Sequence, residues 1–238
     1  MGHEVDLTVV VPAYLEEENL RLLLPRLTHT LASLAVRWEV VVVETMRPMD
    51  KTADVCGEHG CTCIARQGGD TFGDAVRTGI RHSHGERVVF MDADGSHPPE
   101  FIEELWRHRT DADVIIASRY APGGVTENSW SLVLMSRLLN RTYSWVLGLN
   151  CFDVSNSFKL YPGRALRGLN LACNHFDIVE EILCRLVHGH PAATVKEIPA
   201  TFKKRLFGET KRNLMLFVLS YLYTIMRLRV ILFAARRH

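Results

Sequence analysis

Apolar residues fall along this chain in two alternating rhythms. Short continuous runs read as strands buried on both faces. Longer stretches between them repeat apolar residues every three or four positions, as amphipathic helices do. Leu7–Pro12, Trp38–Glu44, Cys61–Arg66, Arg87–Asp92 and Asp113–Ser118 are the predicted strands. Helices are predicted from Glu16 to Leu34, from Asp50, from Thr71 to His84 and from Pro99 to Arg109. Pro25 falls inside the first helix and predicts a kink or a split. The β–α alternation predicts an α/β fold, a mostly parallel sheet flanked by helices. Past Ser118 the alternation fades: a helix is predicted from Trp130 to Leu149, a strand-like alternation from Asp153 to Tyr161, a helix from Phe176 to His188 and a strand from Val195 to Phe202. No linker divides this stretch from the first, so one domain is expected over 1–212.

The remainder, 213–238, is apolar and basic. Leu214–Met226 is too short to span a bilayer, and extending it to Ala235 brings in Arg227 and Arg229, each costing about 2.5–3.5 kcal/mol at a membrane centre. A helix lying in the membrane interface is expected, with burial against the domain or a partner as the alternative. Composition changes little: the formal net charge of the 238 residues is +1, so nucleic acid is not an expected partner. The six cysteines form no Cys-x-x-Cys pair, and Cys56, His59, Cys61 and Cys63 straddle a helix end and a strand. Reduced thiols in a cytoplasmic protein are expected rather than a zinc site. The start of the chain has no basic region followed by an apolar run, so no signal peptide is predicted.

Candidate chemistry centres on Asp92-Ala93-Asp94, at the end of the fourth predicted strand, followed by Gly95-Ser-His-Pro-Pro99. Residues i and i+2 of a strand point the same way, so both carboxylates are expected at the carboxyl edge of the sheet, where open α/β folds bind ligands. Carboxylates that close repel unless a proton or cation sits between them, and a hard divalent ion carrying a phosphate is one solution. An acidic turn capping the next helix is the other. No Gly-x-Gly-x-x-Gly or Gly-x-x-x-x-Gly-Lys-Ser/Thr loop follows the first strand, which argues against a dinucleotide dehydrogenase or a P-loop nucleotidase.

Five stretches in order resemble glycosyltransferase family 2, with its Rossmann-like GT-A fold, and within it the dolichol-phosphate mannose synthase branch that acts on polyprenyl phosphates. They are Val11-Pro-Ala-Tyr-Leu-Glu-Glu-Glu-Asn-Leu20, Asp92–Pro99, Ser118-Arg-Tyr-Ala-Pro-Gly-Gly124, Asp153-Val-Ser-Asn-Ser-Phe-Lys-Leu-Tyr161, and Ile198-Pro199 through Arg205, Gly208 and Lys211. The resemblance implies a nucleotide-sugar donor, GDP-mannose or a UDP-sugar. Pro12, Ala13, Tyr14, Glu16, Glu44, Gly73, Asp92, Ala93, Asp94, Arg205 and Lys211 would contact that donor. Asp92 and Asp94 would hold Mg2+ or Mn2+. Arg119, Ser136 and Asp153 would meet a polyprenyl-phosphate acceptor. Asp94, Arg119, Arg205 and Lys211 would carry catalysis, an inverting displacement at the anomeric carbon by a protein peripheral at the inner face of the membrane.

Three departures mark the match. Glu44-Thr-Met-Arg-Pro-Met-Asp-Lys-Thr52 stands where the family has Asp-Asp-Gly-Ser-x-Asp-Gly-Thr. Leu132 stands where the branch has an arginine four residues before Ser136; Arg137 and Arg141 are nearby but on other faces of a helix. Gly-Leu-Gly before the third helix becomes Thr71-Phe-Gly-Asp-Ala75. Two further readings follow: the same fold acting on a hydroxyl acceptor with Asp177 as base, against a plain helix-terminal acid at that position, or a degenerate, non-catalytic scaffold. Sugar, base and oligomeric state are left open.

Overall fold

The computed structural model describes residues 5–127, 129–190, 192–203 and 223–230. Strands β1 (Leu7–Pro12), β2 (Trp38–Glu44), β3 (Thr62–Ala65), β4 (Arg87–Phe90) and β5 (Val114–Ser118) alternate with α1 (Glu17–Ser33), α2 (Thr52–Glu58), α3 (Phe72–Arg81) and α4 (Ile102–Arg107). After β5 come β6 (Val125–Thr126), α5 (Trp130–Leu147), β7 (Lys159–Pro162), α6 (Gly163–Arg167), α7 (Asp177–Gly189), β8 (Val195–Pro199) and β9 (Thr201–Phe202). Among the described residues the main sheet runs β3-β2-β1-β4-β7-β5-β8, all parallel except β7, while β6 and β9 form a separate parallel pair. This is the α/β GT-A arrangement expected.

Alternation along each strand fills two cores. Leu7, Val9 and Val11 of β1 face α1 and α4, joining Leu20, Leu24, Leu27, Ile102 and Leu105. Val10 faces the other way, toward Val76 and Ile80 of α3, Tyr143 and Leu147 of α5, and Ile178 and Ile182 of α7. Gly79 lets α3 lie directly on β1, because a Cβ there would run into Val10.

Two sequence expectations are corrected. α1 is one continuous helix through Pro25, so the run is not split in two. An interior proline costs about 3 kcal/mol or more, and five leucines on one face of this helix are buried against the sheet and offset it. Asp153–Tyr161 is a strand only from Lys159 onward. Before that, the side chains of Asp153, Asn156 and Ser157 bond to neighbouring groups and hold the backbone in a loop.

The tail is described only over 223–230, which is helical. Ile225 and Leu228 join the α3–α5–α7 core, Arg227 pairs with Asp177 at 3.1 Å, and Tyr223, Met226 and Val230 are exposed. The described part of the tail is thus packed on one side and open on the other; Leu214–Leu222 lie outside the described residues. Among the described residues no helix is long and apolar enough to cross a membrane.

The α7 side of the core also holds charge. Glu180 is buried, and its Oε2 has no hydrogen-bond partner among the described residues. Burial pushes its carboxyl up to about 8, against the pull of Lys159. The folded state thus keeps a proton that the unfolded chain releases near pH 4.5. This contribution to stability is complete below that pH and is lost as pH rises to about 8. Thermal unfolding of the wild type should therefore show stability falling with pH across that window, by up to about 1.4 kcal/mol per pH unit. Glu180→Gln should flatten the slope; an equal slope in the variant would contradict the assignment.

Candidate active site

The carboxyl ends of β1, β2, β4 and β5 meet along one edge of the sheet. At β1, Pro12 closes the ladder and Ala13 continues it with an N–H bond to the Val43 carbonyl (2.9 Å). Leu15 then takes φ 56°, a left-handed turn that sends the chain sharply into α1. Tyr14 is left half exposed at the bend, and Glu16 bonds Asn19 at the start of α1. Glu44 ends β2 and is buried; burial raises its carboxyl, the Cys63 thiol that bonds it opposes this, and Asp50 adds to it.

Arg66 completes this corner. Its guanidinium donates to the carbonyls of Ala13 and Asp70, both at 2.7 Å, and lies 5.9 Å from the centre of the Tyr14 ring. Its Nε is buried without a partner among the described residues. Arg66 is not among the residues the sequence points to, and its two bonds alone bring it to this corner. Gly73, expected at the donor, is needed for packing: a Cβ there would strike the Cys173 carbonyl, and its N–H donates to Asn174 O at 2.8 Å.

The two acids do not lie on one strand as the pleat argument required. β4 stops at Phe90. The Asp92 N–H leaves the ladder and donates to His97 Nδ1 (3.0 Å), and Asp94 sits in the following turn, where its Oδ1 accepts from the Ser96 N–H (3.0 Å). Gly95, at φ 78°, permits that turn. His97 is buried, stacked on Phe158 and edge-on to Phe202, and burial holds its pKa below the usual imidazole range. Ala93 is buried between the two acids. Asp92 Oδ1 accepts from Ser157 Oγ at 3.0 Å.

No cluster of three ligating side chains occurs among the described residues. The carboxylates of Asp92, partly exposed, and Asp94, buried in the turn two residues on, are the hard oxygen donors that Mg2+ or Mn2+ takes, with remaining ligands from phosphates and water. The residues present therefore fit such an ion.

The acceptor-side candidates gather around the loop before β7. The Asp153 carboxylate, fully buried, takes three bonds from Arg119: backbone N–H (2.9 Å), Nε (2.9 Å) and Nη2 (2.7 Å). The Arg119 guanidinium lies 5.0 Å from the centre of the Tyr120 ring, and that of Arg137 lies 5.6 Å from the same ring. α5 thus supplies an arginine beside Arg119, although Leu132 fills the position the motif predicts. Arg137 comes from a different face of the helix, which spacing alone could not rank. Ser136 lies one turn before Asn140, whose Oδ1 accepts the Ser155 N–H at 3.0 Å. Trp130, Leu134, Leu138 and Trp145, at intervals that align on one face, leave the outer side of α5 exposed and apolar, with Arg137 and Arg141 along it.

Asp177 does not join this edge as a free base. It receives the His175 N–H at 2.9 Å and the Arg227 pair, as a helix-terminal acid would. Lys203 N–H donates to Ser96 O at 3.2 Å, bringing the chain to the acidic turn. Arg205 and Lys211 lie outside the described residues.

Comparison with known proteins agrees with this geometry. The profile of glycosyl transferase family 2 matches residues 8–169. The dolichol-phosphate mannosyltransferase of Pyrococcus furiosus is 30% identical over 212 residues, 86% of this chain; the chain spans 58% of that relative's length. The undecaprenyl-phosphate mannosyltransferase of Micrococcus luteus is 30% identical over 227 residues, covering 86% of each. Among solved structures, glucosyl-3-phosphoglycerate synthase from Mycobacterium tuberculosis, in complex with Mn2+, UDP-glucose and phosphoglyceric acid, superposes with a TM-score of 0.69 at 15% identity, over 94% of this chain and 80% of that one. The sheet, the acidic turn at its edge and the family match lead to one assignment: the chain is a glycosyltransferase and belongs to glycosyltransferase family 2.

Proposed function

We propose that this enzyme transfers a sugar from a nucleotide-sugar donor, GDP-mannose or a UDP-sugar, to a polyprenyl phosphate, with inversion at the anomeric carbon. The observation that carries the reading is the pair Arg119 and Arg137 about Tyr120, set beside the exposed apolar face of α5. A phosphate on a long apolar chain calls for that combination: cations for the head group and an apolar surface turned to lipid. The relatives named for dolichol and undecaprenyl phosphate support it. A peripheral position at the inner face of the membrane follows from the reading, with the exposed apolar face of α5 as the contact.

Tyr14, Glu44 and Arg66 would line the nucleoside end of the donor. Asp92 and Asp94 would hold Mg2+ or Mn2+, which when bound supplies Lewis-acid stabilisation of the departing diphosphate. Arg205 and Lys211 would add positive charge there. Arg119 and Arg137 would orient the acceptor phosphate toward the anomeric carbon. A phosphate monoester, with a second pKa near 6, is already a dianion at neutral pH and requires no general base. This matches the engagement of Asp177 by Arg227.

Labelled GDP-mannose or UDP-glucose, incubated with undecaprenyl or dolichyl phosphate and Mn2+, should yield an organic-extractable, acid-labile sugar. Product confined to the aqueous phase would refute the lipid acceptor. Asp94→Ala should abolish metal-dependent turnover while leaving the circular dichroism spectrum unchanged. Arg137→Gln should raise KM for the acceptor about tenfold, the loss of one charge-assisted contact, with donor KM nearly unchanged. Leu138→Glu with Trp145→Glu should reduce co-sedimentation with anionic liposomes; undiminished binding would remove α5 from the membrane contact.

A further inference from the structure

The loop 153–158 touches both halves of the site. Ser157 holds Asp92 on the donor side, and Asp153 holds Arg119 on the acceptor side. Asn156 Nδ2 donates to the Ala117 carbonyl on β5, and the Phe152 and Asp153 N–H groups donate to Glu197 on β8 at 2.7 and 2.9 Å. The centre of this loop is gripped from behind by Lys159, the first residue of β7. Lys159 is fully buried, and its Nζ donates to the carbonyl oxygens of Val154 (2.9 Å) and Asn156. An ammonium away from water is costly unless its donors are met and a counter-charge is near. The two carbonyls meet the first need, and the Asp153 carboxylate, which also binds Arg119, meets the second.

We propose that Lys159 is a positioning residue coupling donor and acceptor binding: its ammonium fixes the 153–158 loop so that Ser157 meets Asp92 while Asp153 meets Arg119. The coupling rests on the donor and acceptor reading above. It goes beyond that reading in predicting that one buried side chain, touching neither substrate, sets the affinity for both.

The test is binding, which needs no turnover. Titration calorimetry would follow Mg2+ with GDP, Mg2+ with UDP, and separately farnesyl phosphate. Ser157→Ala should weaken only the nucleotide, and Arg119→Gln only the prenyl phosphate. Lys159→Met should weaken both by about tenfold or more, as removal of a supporting group does, and Lys159→Arg should recover most of each. A folded Lys159→Met that loses one affinity alone, or neither, overturns the coupling.

If Lys159→Met does not fold, pH decides on folded protein. Burial holds the Lys159 amine down at about 8. Both wild-type affinities should fall together above that pH, and Lys159→Arg, whose guanidinium keeps its charge, should lose the limb. The other groups facing Lys159 are Cys151 and Asp153 before it, Arg119 at the end of β5, and Glu180 and Cys184 on α7. An alkaline limb persisting in Lys159→Arg would belong to one of those and would overturn the proposal. Failure of the lipid-acceptor reading is recognised separately, by wild-type protein that makes no lipid-linked sugar.

Discussion

The antiparallel entry of β7 between β4 and β5 governs the rest of the site. Parallel strands all end at one edge, and a strand running the other way begins there. Lys159 therefore pairs with both Phe90 and Ile116, close to where β4 and β5 finish. The loop leading into β7 has no choice but to lie across those two strand ends. One short segment thereby contacts the acidic turn that follows β4 and the arginine that follows β5. On the proposed reading, a single piece of backbone would serve both substrates.

Charge at this edge is balanced rather than merely accumulated. Asp92 is partly exposed and Asp94 is buried in the turn after β4, and their hard carboxylate oxygens suit a divalent cation and a diphosphate. Asp153, by contrast, is fully buried and faces Arg119 and Lys159. Arg119 and Arg137 stand about Tyr120, at the border between this edge and the apolar face of α5. Head group and lipid chain of a polyprenyl phosphate would be separated along that same border.

Much of this was readable in the chain. The apolar runs of β1, β2 and β5 and the 3.6-residue spacing of α1 report burial on one or both faces, a local consequence of side-chain period, so these elements match their predicted spans to within a residue or two. The acidic pair, Glu44 and Arg119 stand out in the sequence by motif, and the structure places Glu44 at the end of β2, Arg119 just past β5 and the two acids in the turn after β4. Less legible was anything set by contact across the fold. Alternation from Asp153 to Tyr161 reads as a strand until the side chains of the loop find partners on β4, β5 and Lys159. Gly73 reads as a ligand-loop glycine until the 173–174 backbone is seen against it. Arg66 carries no motif, and only its bonds to Ala13 and Asp70 mark it as part of the donor corner.

What the sequence determined by itself was the class of fold, the family and the acids at the edge, because periodicity and short motifs are local properties of a chain. What only the tertiary structure decided was which cations stand together and which acids are engaged. Arg137 stands with Arg119 about the Tyr120 ring, and Asp177 is engaged by Arg227, fifty residues away. Both depend on helix rotation and packing, which set side-chain neighbours across distances that spacing along the chain does not measure.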